Sequence, residues 1–205
     1  MESRAMSETH HRLSRRTLTA ALVVLAGSGP AWAQAGPAKD HLGLPGPIRF
    51  DGADYFLTWS ARPNPTYIKQ EYLPAGQRLE RYAAMLIVET LTSGVTVAAA
   101  AGSQINTLDR RKASDPVVNY QVLRNEGRGE IILDFVMSAG QGDATIIEWN
   151  AYRYTPRRDG VNLFAISRRG YGDGAREFLV GLRTWRMATI TTLADYRLPE
   201  LRPEG

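Results

Sequence analysis

The sequence predicts an α+β fold, an antiparallel sheet of about seven strands carrying two packed helices. Three observations predict it. Runs rich in aromatic and β-branched residues, or alternating with period two, recur at 54–60, 66–73, 83–91, 117–123, 130–137, 144–154 and 161–168. Two longer stretches, 93–112 and 174–195, place apolar residues at helical spacing. The order of three strands, helix, four strands, helix does not alternate strictly, which disfavours a parallel α/β sheet.

Each element has a local reason. The run 54–60 is largely aromatic and apolar, and Arg62-Pro63-Asn64-Pro65 closes it because two prolines do not sit in a ladder. The next run alternates Tyr67, Lys69 and Glu71 against Ile68, Gln70 and Tyr72, and Pro74-Ala75-Gly76-Gln77 turns the chain. Residues 83–91 are almost wholly apolar up to Glu89. The first helix carries a stripe of Ala98, Ala101, Ile105 and Leu108, with Ser103, Asn106 and Arg110 opposite and Ser93 as its N-cap. The four later strands form a meander joined at 125–129, 140–143 and 156–160, where Gly, Asn and Asp supply the positive φ that tight hairpins need. Phe178, Leu182, Trp185 and Leu193 are the buried stripe of the last helix, Thr189 interrupts it, and Arg176 and Arg183 point away.

The amino terminus reads as an address. Ser14-Arg15-Arg16-Thr17-Leu18-Thr19 opens an apolar run, 18–26, and Ala31-Trp32-Ala33 follows as an A-x-A cleavage site. This resembles a bacterial twin-arginine export signal, with Thr19 departing from the usual apolar residue. The resemblance implies a cleaved signal at 1–33 and a mature chain in the periplasm. The apolar run is shorter than the roughly 20 residues a permanent span needs. After it come a Gly/Ala/Pro-rich stretch, 34–47, read as a flexible tether, a single domain at 48–196 and a tail at 197–205.

Composition removes several classes of function. The signal holds four arginines against two glutamates, so the formal net charge of +4 falls to +2 in the mature chain. Nucleic acid is therefore not an expected partner. Cysteine is absent, and of three histidines only His41 lies beyond the signal. Cys-His and Ser-His-Asp sites, Cys-ligated clusters and multi-His zinc sites are not expected, nor is any cofactor or metal. No D-x-[DN]-x-[DN]-G calcium loop occurs.

The order of elements over 48–196 resembles the PsbP-like architecture, and the segment YIKQEYLPAGQRLER, 67–81, is similar to small exported proteins of Gram-negative bacteria. Neither resemblance transfers a site. Four other features carry candidate chemistry. Gly170-Tyr171-Gly172-Asp173-Gly174-Ala175 fits G-x-G-x-x-G/A between a strand and a helix, but no strand follows to close a βαβ unit and Asp173 would repel a pyrophosphate. It reads as a turn with Asp173 capping the helix. Asp134 and Glu148 sit mid-strand on neighbouring strands, where a carboxylate pair could do acid/base work on a glycoside, or where both are merely solvated or paired to arginine. Lys69 and Ser60 could meet across adjacent strands, although no S-x-x-K supports a dyad. Tyr67, Tyr72, Tyr152 and Tyr154 form a possible aromatic binding surface, or else fill the core.

The expectation drawn from these readings is a periplasmic, non-enzymatic binding or accessory protein that contacts another envelope protein. A carboxylate hydrolase using Asp134 and Glu148, or a small-ligand or lipid carrier, are the alternatives.

Overall fold

The computed structural model describes residues 38–203. The twin-arginine segment, its cleavage site and the first residues of the expected tether lie outside the described residues. Within them, eight strands run β1 (Ile48–Phe50), β2 (Ala53–Asn64), β3 (Tyr67–Pro74), β4 (Ala84–Leu91), β5 (Asn119–Asn125), β6 (Glu130–Ala139), β7 (Ile146–Arg157) and β8 (Gly160–Tyr171). The two helices are α1 (Val97–Arg111), between β4 and β5, and α2 (Gly174–Asp195), after β8. All strands join one sheet in the order β1-β2-β3-β4-β8-β7-β6-β5, and every pairing is antiparallel.

The expected α+β sheet of about seven strands is thereby corrected. The molecule is mostly strand, an eight-stranded antiparallel sheet curled into a half-barrel with two helices added. The strand that sequence reading missed is β1. Its hairpin turn is Asp51-Gly52, with φ of 46° and 82°, the pair of positive values that a two-residue turn of the I′ kind requires. A second difference is the length of β2, which runs through Pro63. β1 pairs with β2 only as far as Tyr55, so Pro63 removes no ladder hydrogen bond on that side.

Two meanders, β1 to β4 and β5 to β8, meet where β4 pairs with β8, and α1 carries the chain from one to the other. α1 packs on β6, β7 and β8 on one face of the sheet, and α2 packs on β7 and β8 on the other. Each face therefore has its own core. On the α1 face Leu133, Phe135, Leu163 and Ala165 meet Val97, Ala101 and Leu108. On the α2 face Trp149, Phe164 and Ile166 meet Leu182, Ile190 and Leu193. Strand alternation sends neighbouring residues to opposite faces, so a sheet covered twice needs apolar residues at both parities.

α1 begins four residues later than its apolar pattern suggests. Gly94 has φ of 74°, which no helix continues, and Thr96 rather than Ser93 caps the helix through the amide of Ala99 at 3.2 Å. Ala98 consequently faces solvent. α2 matches its predicted range. Thr189, which breaks its apolar stripe, is buried and donates to Asp51 at 3.2 Å, so its hydroxyl is satisfied in the core. Asp173 lies at the start of α2 without a side-chain cap bond, contrary to expectation.

The flanks also differ from the predicted tether and tail. Leu42 is fully buried, the His41 amide donates to Gln70 at 2.6 Å, and Tyr72 donates to the Leu44 carbonyl at 2.7 Å. From the other end Leu198 and Leu201 pack on the same core, and the Arg202 amide donates to the Leu42 carbonyl at 2.7 Å. Among the described residues the folded unit thus extends beyond 48–196 at both ends. Low complexity hid Leu42 and Leu44, which supply the anchors.

Candidate functional site

The period-two alternation of β3 decides what each face receives. Ile68, Gln70 and Tyr72 go to the α2 face, and Tyr67, Lys69 and Glu71 go to the α1 face. Register places Lys69 opposite Glu89 of β4, and Lys69 Nζ lies 2.8 Å from Glu71 and 3.8 Å from Glu89. Tyr67 also hydrogen-bonds Glu89. Across the same face β7 and β8 pair Glu148 with Arg169 and Asn150 with Ser167. Arg169 Nε donates to Glu148 at 2.5 Å, Asn150 Nδ2 donates to it at 3.0 Å, and Tyr82 donates to it at 3.3 Å. Tyr82 also lies 3.2 Å from the Ser167 hydroxyl, and its ring sits 4.2 Å beneath the Arg169 guanidinium.

The result is a polar floor set into a mainly apolar face. Glu89, Glu148, Asn150, Tyr152, Tyr154 and Ser167 are buried, whereas Tyr67, Lys69 and Glu71 are only half-buried. Burial holds the Glu89 carboxyl above the usual carboxylate range, opposed by Lys69 and the Tyr67 hydrogen bond. Burial pulls the Lys69 ammonium down, but Glu89 and Glu71 outweigh it and raise the net value. Burial, reinforced by Glu148 or Glu89, pushes the Tyr82, Tyr152 and Tyr154 phenols up, so they keep their protons, and Tyr82 donates its proton to Glu148. Lys69 is shared between Glu71 and Glu89, and Arg169 is paired with Glu148, so two cations face the three carboxylates of this floor.

The candidate carboxylates do not form a pair. Asp134 faces α2 and is fully buried, held by Arg186 Nε at 2.8 and 3.0 Å and by the Trp149 indole at 2.7 Å. Glu148 faces α1. The sheet itself separates them, so one glycosidic bond cannot lie between the two. Of the two bland alternatives, solvation or pairing to arginine, the structure adopts pairing. Ser60 registers with Gln70 and Ala61 with Lys69, so Ser60 and Lys69 also lie on opposite faces and no dyad forms. Among the described residues no group of three or more His, Cys, Asp or Glu is placed to hold a metal ion.

The four candidate tyrosines divide. Tyr72 lies in the α2-face core, hydrogen-bonded to Gln70 at 2.6 Å. Tyr67, Tyr152 and Tyr154 share the α1 face. Tyr152 and Tyr154 are packed edge-on at 6.4 Å, and Phe135 meets Tyr152 at 4.9 Å. Only Tyr67 of the four reaches the surface. Two further aromatics beside it are accessible, Trp59, which the density of strand aromatics already included, and Phe56, which it did not. Trp59 and Phe56 on β2 are 39% and 46% exposed, opposite Glu71 and Leu73 respectively. Simple alternation would put residues three apart on opposite faces. A bulge between Leu57 and Trp59 inserts one residue and brings both to the α1 side. The accessible strip is therefore Phe56, Trp59, Tyr67, Lys69 and Glu71.

No curated protein and no solved structure matches the chain, and no resemblance to the PsbP-like architecture is shown. A family model does match, over residues 42–198, and the chain belongs to that family, an uncharacterised one typical of small Gram-negative proteins.

Proposed function

We propose that this member of a family of small Gram-negative proteins is a non-enzymatic binding or accessory protein of the cell envelope. On this reading it reaches the periplasm through its twin-arginine segment and contacts another envelope protein through the β2–β3 strip. The observation that carries the reading is the exposure of Trp59 and Phe56 beside a floor whose carboxylates are held by Lys69 and Arg169. Exposed aromatics flanked by half-buried polar groups have the composition of an interface centre, where Trp and Tyr contribute most of the binding energy. The internal ion pairs favour recognition over turnover, because Glu71, Glu89 and Glu148 each have a fixed partner already.

Site-specific photo-crosslinking in cells tests this. A crosslinker at position 59 is expected to give one discrete adduct with an envelope protein, and one at Arg183, on the exposed side of α2, is expected to give none. Trp59→Ala together with Phe56→Ala should abolish complementation while leaving the melting temperature within a few degrees, as surface changes do. Full complementation by the double variant would refute the assignment of this strip.

A further inference from the structure

A sheet that does not close leaves two edges, and the outward amides and carbonyls of an edge strand accept another strand unless something blocks them. The two edges of this sheet differ. β1 is only three residues long, and the part of β2 that runs on beyond it carries Pro63 and two breaks of register, between Leu57 and Trp59 and between Ala61 and Asn64. Proline and bulges are ordinary means of blunting an edge. β5, at the other end, has neither. It pairs with β6 alone, over seven residues and without a shift. Its sequence, Asn119-Tyr120-Gln121-Val122-Leu123-Arg124-Asn125, holds no proline, glycine or lysine, and Arg124 is its one charged residue. Tyr120, Val122 and Leu123 are half-buried, the first two packed on the α1-face core and Leu123 on the α2-face core. A further strand beside β5 would cover the open flanks of these side chains on both faces.

We propose that β5 is a dimer interface, where two copies of the chain pair their β5 strands antiparallel across a two-fold axis and the two sheets run on as one. Centring the axis on Val122 is the register that pairs all seven residues, and the side chains are self-complementary in it. On the α1 face Val122 meets its own copy, and each Tyr120 meets the Arg124 of the other strand. Arg124 thus stands beside an aromatic ring, and the two guanidiniums are kept four residues apart along the strand. At about 3.4 Å per residue that is roughly 14 Å, beyond the screening length at physiological salt. Lys112 lies 4.3 Å from the Tyr120 ring, but Asp109 holds both Lys112, at 2.9 Å, and the Tyr120 hydroxyl, at 3.1 Å, so Arg124 meets a neutral pair there. On the α2 face each Asn119 meets Asn125, whose amides both donate and accept, and Gln121 meets Leu123. Like parity in both strands keeps each helix layer on its own face of the joined sheet. The interface lies at the opposite edge from the β2–β3 strip, so either assignment can fail without the other.

Because the chain has no native cysteine, single cysteines report the register directly. Opposed residues of antiparallel strands have Cα atoms roughly 4.5–5.5 Å apart, within the span a disulfide bridges. The full chain carrying Val122→Cys is expected to form a disulfide-linked dimer with oxidised glutathione. Asn119→Cys and Asn125→Cys should each stay unlinked alone, with roughly 20 Å of strand between a residue and its copy, and should link to each other when mixed. Sedimentation velocity should show a concentration-dependent dimer for the parent chain. Val122→Lys, which sets two ammoniums face to face on the axis, should weaken that dimer at least tenfold. The exposed positions 119 and 125 carry the test whatever Val122→Lys does to folding. The proposal is overturned if the full chain stays monomeric at millimolar concentration. It is also overturned if the 119 and 125 variants fail to link when mixed, or if a dimer forms that Trp59→Cys cross-links and Val122→Cys does not.

Discussion

Glu89 shows how a single residue on this floor couples stability to pH. Its folded value lies above the ordinary carboxyl range because burial penalises the charge. The folded state therefore holds this proton more tightly than the unfolded chain does. The stability it contributes is complete below the unfolded value of about 4.3 and is lost as pH rises through the higher folded value. Glu89→Gln is expected to flatten that decline, read as a smaller fall in urea midpoint between acid and neutral pH. An unchanged pH profile would show that Glu89 is ionised without cost. Asp115 has the opposite sign. Burial would raise it, but the Ser138 hydroxyl and amide, Arg111 and the Val117 amide together pull it down. Its contribution is present above the unfolded carboxyl value and fades as pH falls through the folded one. At this scale the sequence was legible only in part. The alternation of Tyr67, Lys69 and Glu71 predicted a shared face, but no sequence pattern shows that Glu89 stands opposite Lys69. That pairing is a matter of register.

The elements make their own claims, and α2 is the clearest case. Trp185 lies edge-on to Trp149 at 5.0 Å, with the Arg168 guanidinium 4.7 Å from its ring, yet it is only partly buried. Trp185→Ala is expected to cost about 2–3 kcal/mol, somewhat below the full-burial range for aromatic truncation. Arg183→Ala, one face away and exposed, should cost less than about 0.5 kcal/mol. Equal shifts in melting temperature would contradict the assigned helical face. The close seat of α2 comes from Gly170, where a Cβ would lie 2.4 Å from Phe178 Cβ. The strand-turn-helix glycines thus serve packing, with Gly172 at φ of 50° turning the chain. Helical spacing made α2 readable from sequence. β1 is only three residues long, and its Asp-Gly turn was the one local signal available.

For the whole molecule, the flanks and the address matter most. Leu42→Ala is expected to destabilise the fold by about 3 kcal/mol, since a fully buried leucine leaves a cavity. A shift near zero in chemical denaturation would restore the tether. Arg15→Lys with Arg16→Lys is expected to retain the precursor in the cytoplasm, because the proposed export route reads both guanidiniums. Fractionation checks this, and unchanged delivery would assign export to another route. The sequence by itself determined the elements with strong local causes: two helices by apolar spacing, the main strands by composition, and the hairpins by glycine, asparagine and aspartate at the turns. It also determined the lack of cysteine and the presence of only one histidine, His41, beyond residue 33, because ligand types are read directly. Only the tertiary structure decided which faces residues share. One bulge in β2 moved Trp59 to the side of Phe56, β7 alternation put Glu148 across the sheet from Asp134, and the β4–β8 pairing joined two meanders through residues far apart in the chain. The physical reason is that side-chain direction in a strand has period two. A single inserted residue or a change of register reverses every face beyond it, while leaving composition and local propensity unaltered.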